Sequence, residues 1–466
     1  MSIIQKNLLK VKLNQLQCHF TWIPQKDNID LDGMKQTLQN SVKFDEKYQA
    51  TSYNQLAFVN CLQENCEEAI QNLKEAERIL RDNHEDEFDK RIIVTYGNYA
   101  WVYFRMGKLT EAQSYLDKLE RICQQFPGAS GYTAMIPEVY GEKGWSLLSS
   151  AAKCYEEAVE CFQRALEEDT DNVEWNFGFA TALMRLEEHS GKPENGKFSE
   201  LVMQLKRVLE LDPGHTVAMV LLALKLQDLN ENEEALRLVE QALQKTPDQL
   251  YMIRYAAKFY RRAGEVGKAL ELLEKGLKII PNSAFFHHQI GLCYKIKLIQ
   301  LIKSDSKSSR NLKLQRKVTL INQCKHHFDE AFRLKPSLIM AKLAFAEICT
   351  IDKDHDKAEA IYKNLLNLEY ITLENKQEIY LEAGKFEFYH KKSELNASKC
   401  YLEGFKIKHA SKARERCRYY LEKTAENRLC ENRRDIQAFC IRGIIHMVDG
   451  QECFEKVLEI ERSNEE

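Results

Sequence analysis

Residues 251–262 (YMIRYAAKFYRR) combine basic and aromatic side chains at helical spacing, which suits them to ligand binding. Positions about 3.6 residues apart share one face of a helix. A helix here would present Tyr251, Arg254, Lys258, Arg261 and Arg262 together. Guanidinium groups bind phosphate oxygens through paired hydrogen bonds, and aromatic rings stack on flat bases. The segment therefore predicts an anion site suited to a ligand with phosphates and bases, the alternative being a solvated basic stripe.

The overall charge restricts such a site to a small region. The net charge is −3 at pH 7 and the isoelectric point is near 6.5. Indiscriminate binding of nucleic acid needs clustered cations over a general basic surface. Because the chain as a whole has no such excess of cations, any anion site must be local.

The composition also predicts the compartment. The first residues, MSIIQKNLLK, lack the apolar core of a signal peptide, and no window reaches the ~18 uncharged apolar residues of a membrane span. We expect a soluble, cytoplasmic protein. The 14 cysteines do not form paired C-x-x-C motifs, so we expect no metal and no cofactor. They are typical of small buried apolar residues in a reducing compartment.

The elements that would position the basic segment recur along the chain. Pro213, Pro247 and Pro281 are evenly spaced, and small residues such as Ala223 and Ala257 keep the same phase. A period of about 34 residues, with small residues where two helices cross and a proline after the second helix, is the tetratricopeptide pattern. Only small side chains fit a close crossing, and proline cannot continue a helix. We therefore expect an all-α tetratricopeptide-repeat solenoid, a superhelix of antiparallel helix pairs.

The repeat phase predicts where the basic segment points. With Ala257 at the eighth position of its repeat, the five side chains face the concave side, which the first helix of each pair lines. One repeat later, His288 and Lys295 face the same way. One repeat earlier, the corresponding residues are largely apolar: Val217, Val220, Leu224 and Gln227. The positive charge is therefore concentrated, and converging guanidinium groups bind a multiply charged anion better than scattered lysines do.

One repeat is interrupted by an insertion. The interval from Pro281 to Pro336 is much longer than the even spacing of the preceding prolines, which places an insertion near 296–325. The run 295–317 holds eight lysines and arginines against one aspartate, Asp305. We expect it to lengthen the helices of this repeat around a loop at 304–311.

The remaining organisation follows from composition. Loops are predicted at 126–137 and 188–197, which are rich in glycine, serine or proline. A further basic patch comprises Lys406, Lys408, Lys412, Arg414, Arg416 and Arg418. We divide the chain into an N-terminal helical segment (1–50), a repeat block (51–187), a pivot loop (188–200), a central block (201–336) and a C-terminal block with a short cap around 443–461 (337–466).

Five segments carry a family resemblance. They are 18–22 (CHFTW), 96–103 (YGNYAWVY), 221–228 (LLALKLQD), 254–262 (RYAAKFYRR) and 287–294 (HHQIGLCY). In this order they resemble the interferon-induced proteins with tetratricopeptide repeats, over residues ~5 to ~445. The resemblance implies a helical solenoid that binds the 5′ end of foreign single-stranded RNA in a positively charged internal tunnel. It also implies an antiviral role in innate immunity, inhibited translation of that RNA, and assembly with related family members as homo- or hetero-oligomers.

The resemblance also assigns candidate site residues. Those implied to contact the 5′ phosphates are Thr37, Arg185, Tyr251, Arg254, Tyr255, Arg261, His288, Gln289 and Lys303. Trp145 and Tyr155 are implied to lie near a base, a ribose or a cap guanine, and Arg416 and Lys423 near the backbone of later nucleotides. Arginine would hold phosphate oxygens, and tyrosine rings would stack on bases.

Departures from the family pattern favour a 5′-triphosphate over an incompletely methylated cap. A stacked methylated guanine needs apolar or aromatic walls on both sides. Asp45 and Thr181 are polar where cap-binding members are apolar. Further departures occur at Gly33, Ser41, Ser149 and Val217.

Two other classes of function remain to be weighed. A peptide-binding adaptor or cochaperone would clamp an acidic peptide in the concave groove, but such clamps alternate lysine and asparagine over adjacent repeats, and Val217 and Val220 do not fit. An enzyme is not expected, because no nucleophile–base pattern, phosphate loop or carboxylate pair is present. His287 and His288 do not predict a metal, because neighbouring residues on a helix point about 100° apart.

Overall fold

The structure, a computed structural model, describes residues 3–23, 31–44, 49–150, 154–190, 199–304, 310–368, 371–409 and 411–463. Within these ranges the chain forms helices joined by turns, with one isolated β-bridge between Ser130 and Thr133. The helices fall into two compact units, Met1–Leu272 and Leu273–Glu466. The predicted all-α solenoid is confirmed, and none of the described helices is long and apolar enough to cross a membrane.

Within the described residues, the first unit contains fourteen helices and the start of a fifteenth. They are α1 (Ile3–Leu13), α2 (His19–Trp22), α3 (Leu31–Phe44), α4 (Gln49–Leu62), α5 (Cys66–Asn83), α6 (Phe88–Arg105), α7 (Leu109–Cys123), α8 (Pro137–Ser150), α9 (Tyr155–Glu168), α10 (Val173–Ser190), α11 (Glu200–Leu211), α12 (Thr216–Asp228), α13 (Asn232–Lys245), α14 (Leu250–Arg262) and α15 (Val266–Ile279). A short 3-10 helix, Glu85–Glu87, precedes α6.

The described part of the second unit contains the end of α15 and eight further helices. They are α16 (Ala284–Lys303), α17 (Arg310–Leu334), α18 (Ile339–Ile351), α19 (His355–Leu366), α20 (Leu373–Tyr389), α21 (Glu394–Lys406), α22 (Lys412–Glu431) and α23 (Ile436–Ser463).

Glycines facing aromatic rings hold the hairpins close, as the repeat pattern predicts. A Cβ atom on Gly144 or Gly178 would lie 2.8 or 2.3 Å from the ring of Phe162, so α8 and α10 both approach α9 where only glycine fits. In the second unit, a Cβ atom on Gly291 would lie 2.6 Å from the Phe328 ring. The aromatic ring fills the space that the missing side chain leaves, which is how close packing without voids is reached.

The predicted insertion lengthens one hairpin. Helix α16 has 20 residues and α17 has 25, against 13 and 14 for the hairpin α12–α13. Leu298, Ile321 and Phe328 are buried between them, so apolar contacts continue along the added turns. Residues 305–309 of the predicted loop at 304–311 lie outside the described residues.

A chain of buried and half-buried polar side chains ties four helices of the first unit together. Asn98 on α6 lies 3.0 Å from His19 Nδ1 on α2 and donates to Asn54 Oδ1 on α4 at 3.2 Å. Thr51 on α4 donates to Glu142 Oε2 on α8 at 2.5 Å. Because buried polar groups are costly unless bonded, these contacts fix the position of α8, which carries Trp145.

The loops differ from expectation at one point. Residues 124–136 connect α7 and α8 without a helix, as predicted. The loop predicted at 188–197 begins later, because α10 continues through Glu188 to Ser190. Glu188 forms ion pairs with Arg185 and Lys258, which stabilise this last turn. Residues 191–198 are outside the described ranges, and the proposed division of the chain into blocks stays a prediction.

Candidate nucleic-acid interface

Helix α14 has two distinct faces. One is buried and consists of Met252, Ile253, Ala256, Ala257, Phe259 and Tyr260. On the other face Tyr251, Arg254, Tyr255, Lys258 and Arg261 are half-buried, and Arg262 is exposed. The apolar face fixes the helix in the stack, so the basic and aromatic face keeps a defined orientation.

Aromatic and cationic groups contact one another on the open face of α14. The rings of Tyr251 and Tyr255 lie 5.3 Å apart in an edge-to-face arrangement. The Arg254 guanidinium carbon lies 5.6 Å from the centre of the Tyr251 ring. A cation over a ring face is attracted by the ring's negative potential, so these contacts orient Arg254 before any ligand binds.

Arg185 on α10 joins this face through its electrostatic surroundings. Tyr255 raises the pKa of Arg185 most strongly, and Tyr251, Glu188 and Tyr155 add to this against the opposing effect of burial. Burial raises the pKa of Tyr255, so its phenol is neutral and can donate a hydrogen bond. We call Tyr155, Arg185, Tyr251, Arg254 and Tyr255 the arginine–tyrosine cluster.

Carboxylates balance two of the predicted cations. Lys258 forms an ion pair of 3.0 Å with Glu188, which also lies 3.6 Å from Arg185. Arg262 forms a pair of 3.1 Å with Asp228 on α12. Lys258 and Arg262 stand on the predicted face, with their charges balanced by these carboxylates.

The two acidic partners could have been found by a more complete use of the repeat. Asp228 precedes Arg262 by one repeat interval, so it lies on α12 at the position equivalent to that of Arg262 on α14. Glu188 follows Arg185 by three residues, a spacing that brings side chains together on a helix. Glu188 also balances Lys258, a contact across 70 residues of sequence that no local pattern indicates.

Trp145, the candidate cap residue, is half-buried and packs against the core. Its ring lies 5.3 Å from Phe162, edge to face, and 6.1 Å from Phe177. Thr181 is buried on α10 and donates to the Phe177 carbonyl at 2.8 Å. The surroundings of Trp145 thus include buried rings on one side. Asp45 lies outside the described residues.

Thr37 on α3 is exposed, and its hydroxyl is bonded within its own helix. It donates to the Gly33 carbonyl at 2.8 Å, one turn earlier. Arg261 is half-buried in the last turn of α14. Among the candidates of the first unit, the structure brings together the arginine–tyrosine cluster most clearly.

In the second unit the candidates lie on α16 and α22. His288 and Gln289 are half-buried at the start of α16, and Lys303 is exposed at its last residue. Arg416 and Lys423 are exposed on α22. Lys295, expected beside His288, forms an ion pair with Glu347.

The basic patch predicted at 406–418 is largely engaged in the fold. Arg414 is buried and donates to the Phe405 carbonyl at 2.8 Å. Arg418 pairs with Glu422 at 2.9 Å and Asp449 at 3.1 Å. Lys406 pairs with Glu403 at 2.9 Å. These three cations of the patch therefore contribute to packing and to ion pairing within the fold.

Comparisons with known proteins agree with the repeat architecture. Residues 48–125 and 220–284 match the family description "Tetratricopeptide repeat". The chain is 37% identical to human antiviral innate immune response effector IFIT1 over 443 residues, which cover 95% of the chain and 92% of the relative. It is 33% identical to human interferon-induced protein with tetratricopeptide repeats 2 over 470 residues, covering 100% of the chain and 96% of the relative.

Solved structures of human IFIT1 have the same fold as this chain. The human IFIT1 dimer with PPP-AAAA has a TM-score of 0.79 and 35% identity, covering 97% of this chain and 99% of that one. A monomeric IFIT1 mutant with Gppp-AAAA has a TM-score of 0.84 and 36% identity, covering 97% and 100%. Because the sequence identity extends over nearly the whole length and the fold is the same, the chain belongs to the family of interferon-induced proteins with tetratricopeptide repeats.

Proposed function

We propose that this chain is a cytoplasmic antiviral RNA-binding protein that captures the 5′ end of foreign single-stranded RNA and so inhibits its translation. It acts by binding and not by catalysis. The support is the family membership, together with IFIT1 structures containing PPP-AAAA and m7Gppp-AAAA. Human IFIT1 is a dimer in these two structures, and we propose that this chain also associates with itself or with related members.

The arginine–tyrosine cluster is the observation that carries the proposal. Arg185 and Arg254 supply fixed positive charge, and Tyr255 supplies a neutral hydroxyl donor beside it. Charged donors bind phosphate oxygens more strongly than neutral ones. Aromatic rings at the same place suit a first nucleotide, which has a flat base next to its phosphates.

The carboxylate of Glu188 has a defined part in this proposal. Burial acts to raise its pKa, but Lys258 and Arg185 outweigh burial and lower it, so Glu188 is ionised at neutral pH. It balances the cations while no ligand is present. An incoming triphosphate, with more negative charge, competes with Glu188 for Arg185 and Lys258.

The other candidates are proposed as additional contacts. In the first unit these are Thr37, whose hydroxyl would exchange its bond to Gly33 for a phosphate, and Arg261. In the second unit His288, Gln289 and Lys303 are proposed to contact phosphate, and the exposed Arg416 and Lys423 to contact the backbone of later nucleotides. Single-stranded RNA bound through phosphates in this way would be recognised without base-sequence preference.

A triphosphate end is proposed to bind better than a capped end. Trp145 is packed edge to face on Phe162, and Thr181, at a position that is apolar in cap-binding members of the family, is polar. A methylated guanine gains most when it stacks between two apolar or aromatic surfaces. The polar position weakens that arrangement, whereas the arginine–tyrosine cluster serves either kind of end.

The proposal is tested by Arg254→Glu in the full chain. Binding of 5′-triphosphate single-stranded RNA, measured by fluorescence anisotropy at one salt concentration, should be lost while the helical circular-dichroism signal stays. The matched control is Arg237→Glu, because Arg237 is an exposed arginine on α13, a different helix from the one that carries Arg254. Unchanged affinity in Arg254→Glu would refute the site.

The same RNA with triphosphate, monophosphate and capped ends separates the remaining possibilities. We expect the order triphosphate, then cap, then monophosphate. Equal affinity for all three would show a nonspecific basic surface. Tight binding of an acidic peptide that triphosphate RNA does not displace would favour a peptide adaptor instead.

A further inference from the structure

Three histidines meet where the lengthened helices α16 and α17 pack together. His287 comes from α16, and His326 and His327 come from α17. Each offers one ring nitrogen, and the three nitrogens all lie within 4.8 Å of one another. His287 is buried, His327 is half-buried and His326 is exposed. The cluster therefore has a fixed inner end and an outer end that solvent ions reach.

The spacing suits a small divalent cation with nitrogen ligands. His287 Nδ1 and His327 Nδ1 are 3.1 Å apart. Two imidazole nitrogens on a tetrahedral zinc ion, each at about 2.0–2.1 Å, are separated by roughly 3.3 Å. The exposed ring of His326 can move the short distance that a third ligand needs. Three histidines with one open position are a donor set that zinc accepts.

Adjacent residues on one helix do not by themselves chelate an ion, because they point about 100° apart. Here the third histidine, His287, comes from the other helix, and its ring centre lies 5.2 Å from that of His327 and 6.2 Å from that of His326. The sequence argument that His287 and His288 cannot hold one ion together still applies. The two histidines that lie near the His287 ring, His326 and His327, are on α17, the next helix in the chain.

Surrounding groups orient the rings. The Pro281 carbonyl accepts a hydrogen bond from the His287 ring, the kind of outer contact that fixes the tautomer of a metal-bound histidine. Tyr294 stacks on His327 with ring centres 5.7 Å apart.

We propose that His287, His326 and His327 form a zinc site that links α16 to α17. Bound zinc would join the first turn of α16 to the later part of α17, where Cys324 and Phe328 are already buried. It would stabilise this hairpin because the ion binds the folded arrangement and not the unfolded chain. None of the three histidines is among the proposed RNA contacts, although His287 directly precedes His288 on α16.

The test uses the full chain, stripped with a chelator and titrated with Zn²⁺ by calorimetry. We expect one Zn²⁺ per chain at this site and a higher midpoint of thermal unfolding. His326→Gln should lower the affinity by at least about tenfold and abolish the thermal shift. Because His326 is exposed, this variant should fold normally, which circular dichroism checks.

The matched control is His390→Gln. His390 lies 5.6 Å from His355, a contact of two histidines that offers too few ligands, so the control should bind zinc like the unaltered chain. Exposed cysteines such as Cys430 and Cys440 are a competing source of zinc binding. Substitution with Co²⁺ distinguishes them, because thiolate ligands give an intense ultraviolet charge-transfer band. Equal zinc affinity in His326→Gln, or a thiolate band for the one bound ion, would overturn the proposal.

Discussion

Helices α12 and α14 occupy equivalent places in successive repeats, yet their surfaces have opposite character. On α12 every residue from Thr216 to Leu226 is buried. On α14, one repeat later, the positions that correspond to Val217 and Val220 are Tyr251 and Arg254, which are half-buried. The same backbone element therefore serves as packing in one repeat and presents a basic, aromatic face in the next.

The ion-paired lysines of the two helices also differ in exposure. Lys225 on α12 has only 6% of its side chain exposed and pairs with Glu187 at 2.5 Å. Lys258 on α14 has 28% exposed and pairs with the next residue, Glu188, at 3.0 Å. Two neighbouring glutamates of α10 thus balance one buried and one accessible lysine. The difference indicates that the charge of Lys225 is committed to the fold, whereas the charge of Lys258 stays accessible to solvent.

The largest expected effect comes from giving α12 the residue of α14. Val220→Arg would put a cation at a position with no exposed surface. We expect a loss of at least about 4 kcal/mol in the free energy of unfolding, because burying an unpaired charge is among the most costly substitutions. Urea unfolding followed by circular dichroism measures it. A loss below about 1 kcal/mol, the range of ordinary surface substitutions, would show that this face of α12 is open, and the contrast would fail.

Breaking the buried pair should be the next most costly change. Glu187→Gln leaves the charge of Lys225 uncompensated, and we expect a loss of about 3 kcal/mol in unfolding free energy. Glu188→Gln is the control on the same helix and should cost less than about 1 kcal/mol, because its pair with Lys258 is solvated. The double variant Glu187→Gln, Lys225→Met should recover most of the loss. Equal costs for the two glutamates would contradict the distinction.

The reverse exchange tests the ligand-binding face. Arg254→Val gives α14 the residue of α12 at this position. We expect the affinity for 5′-triphosphate RNA to fall by roughly tenfold to a hundredfold, since hydrogen bonds to charged groups are worth about 1.5–3 kcal/mol. The free energy of unfolding should change by less than about 1 kcal/mol, because Arg254 is half-buried. If Arg254→Val instead lowered the free energy of unfolding and left RNA affinity unchanged, Arg254 would serve packing and not ligand binding.

The smallest effect is expected at Arg262, whose charge is already balanced. The side chains of Arg262 and Asp228 are 36% and 53% exposed. Arg262→Ala should change the unfolding free energy by less than about 1 kcal/mol, as solvated ion pairs do. RNA affinity in anisotropy titrations should stay within about twofold. A loss of RNA affinity as large as that expected for Arg254→Val would show that Arg262 contacts the RNA.

The sequence was sufficient for the fold and for the shared basic and aromatic face of α14. The even spacing of the prolines predicted the repeat, and the helical spacing of Tyr251, Arg254 and Arg261 predicted a shared face that the structure shows. These predictions succeed because helix period and hairpin packing are local properties. The lengthened hairpin followed from a count of residues between two prolines.

Periodicity in the sequence did not predict contacts between residues that are far apart in the chain. Lys258 and Glu188 are 70 residues apart, and His287 and His327 are 40 apart. Arg414 was counted with a basic patch, although its guanidinium lies under Phe405. No periodic pattern in the chain predicts these contacts, because they depend on how α10, α17 and α21 pack against other helices.

By itself, the sequence determined an all-α repeat protein with a local concentration of arginine and tyrosine. Its periodicity is set by backbone geometry and by the few side chains that fit a close helix crossing. Only the tertiary structure decided which of those cations form ion pairs with carboxylates of the fold, because ion pairing depends on distance and burial. It placed Lys258 and Arg262 in pairs, Arg185 and Arg254 among tyrosines, and three histidines within reach of one ion.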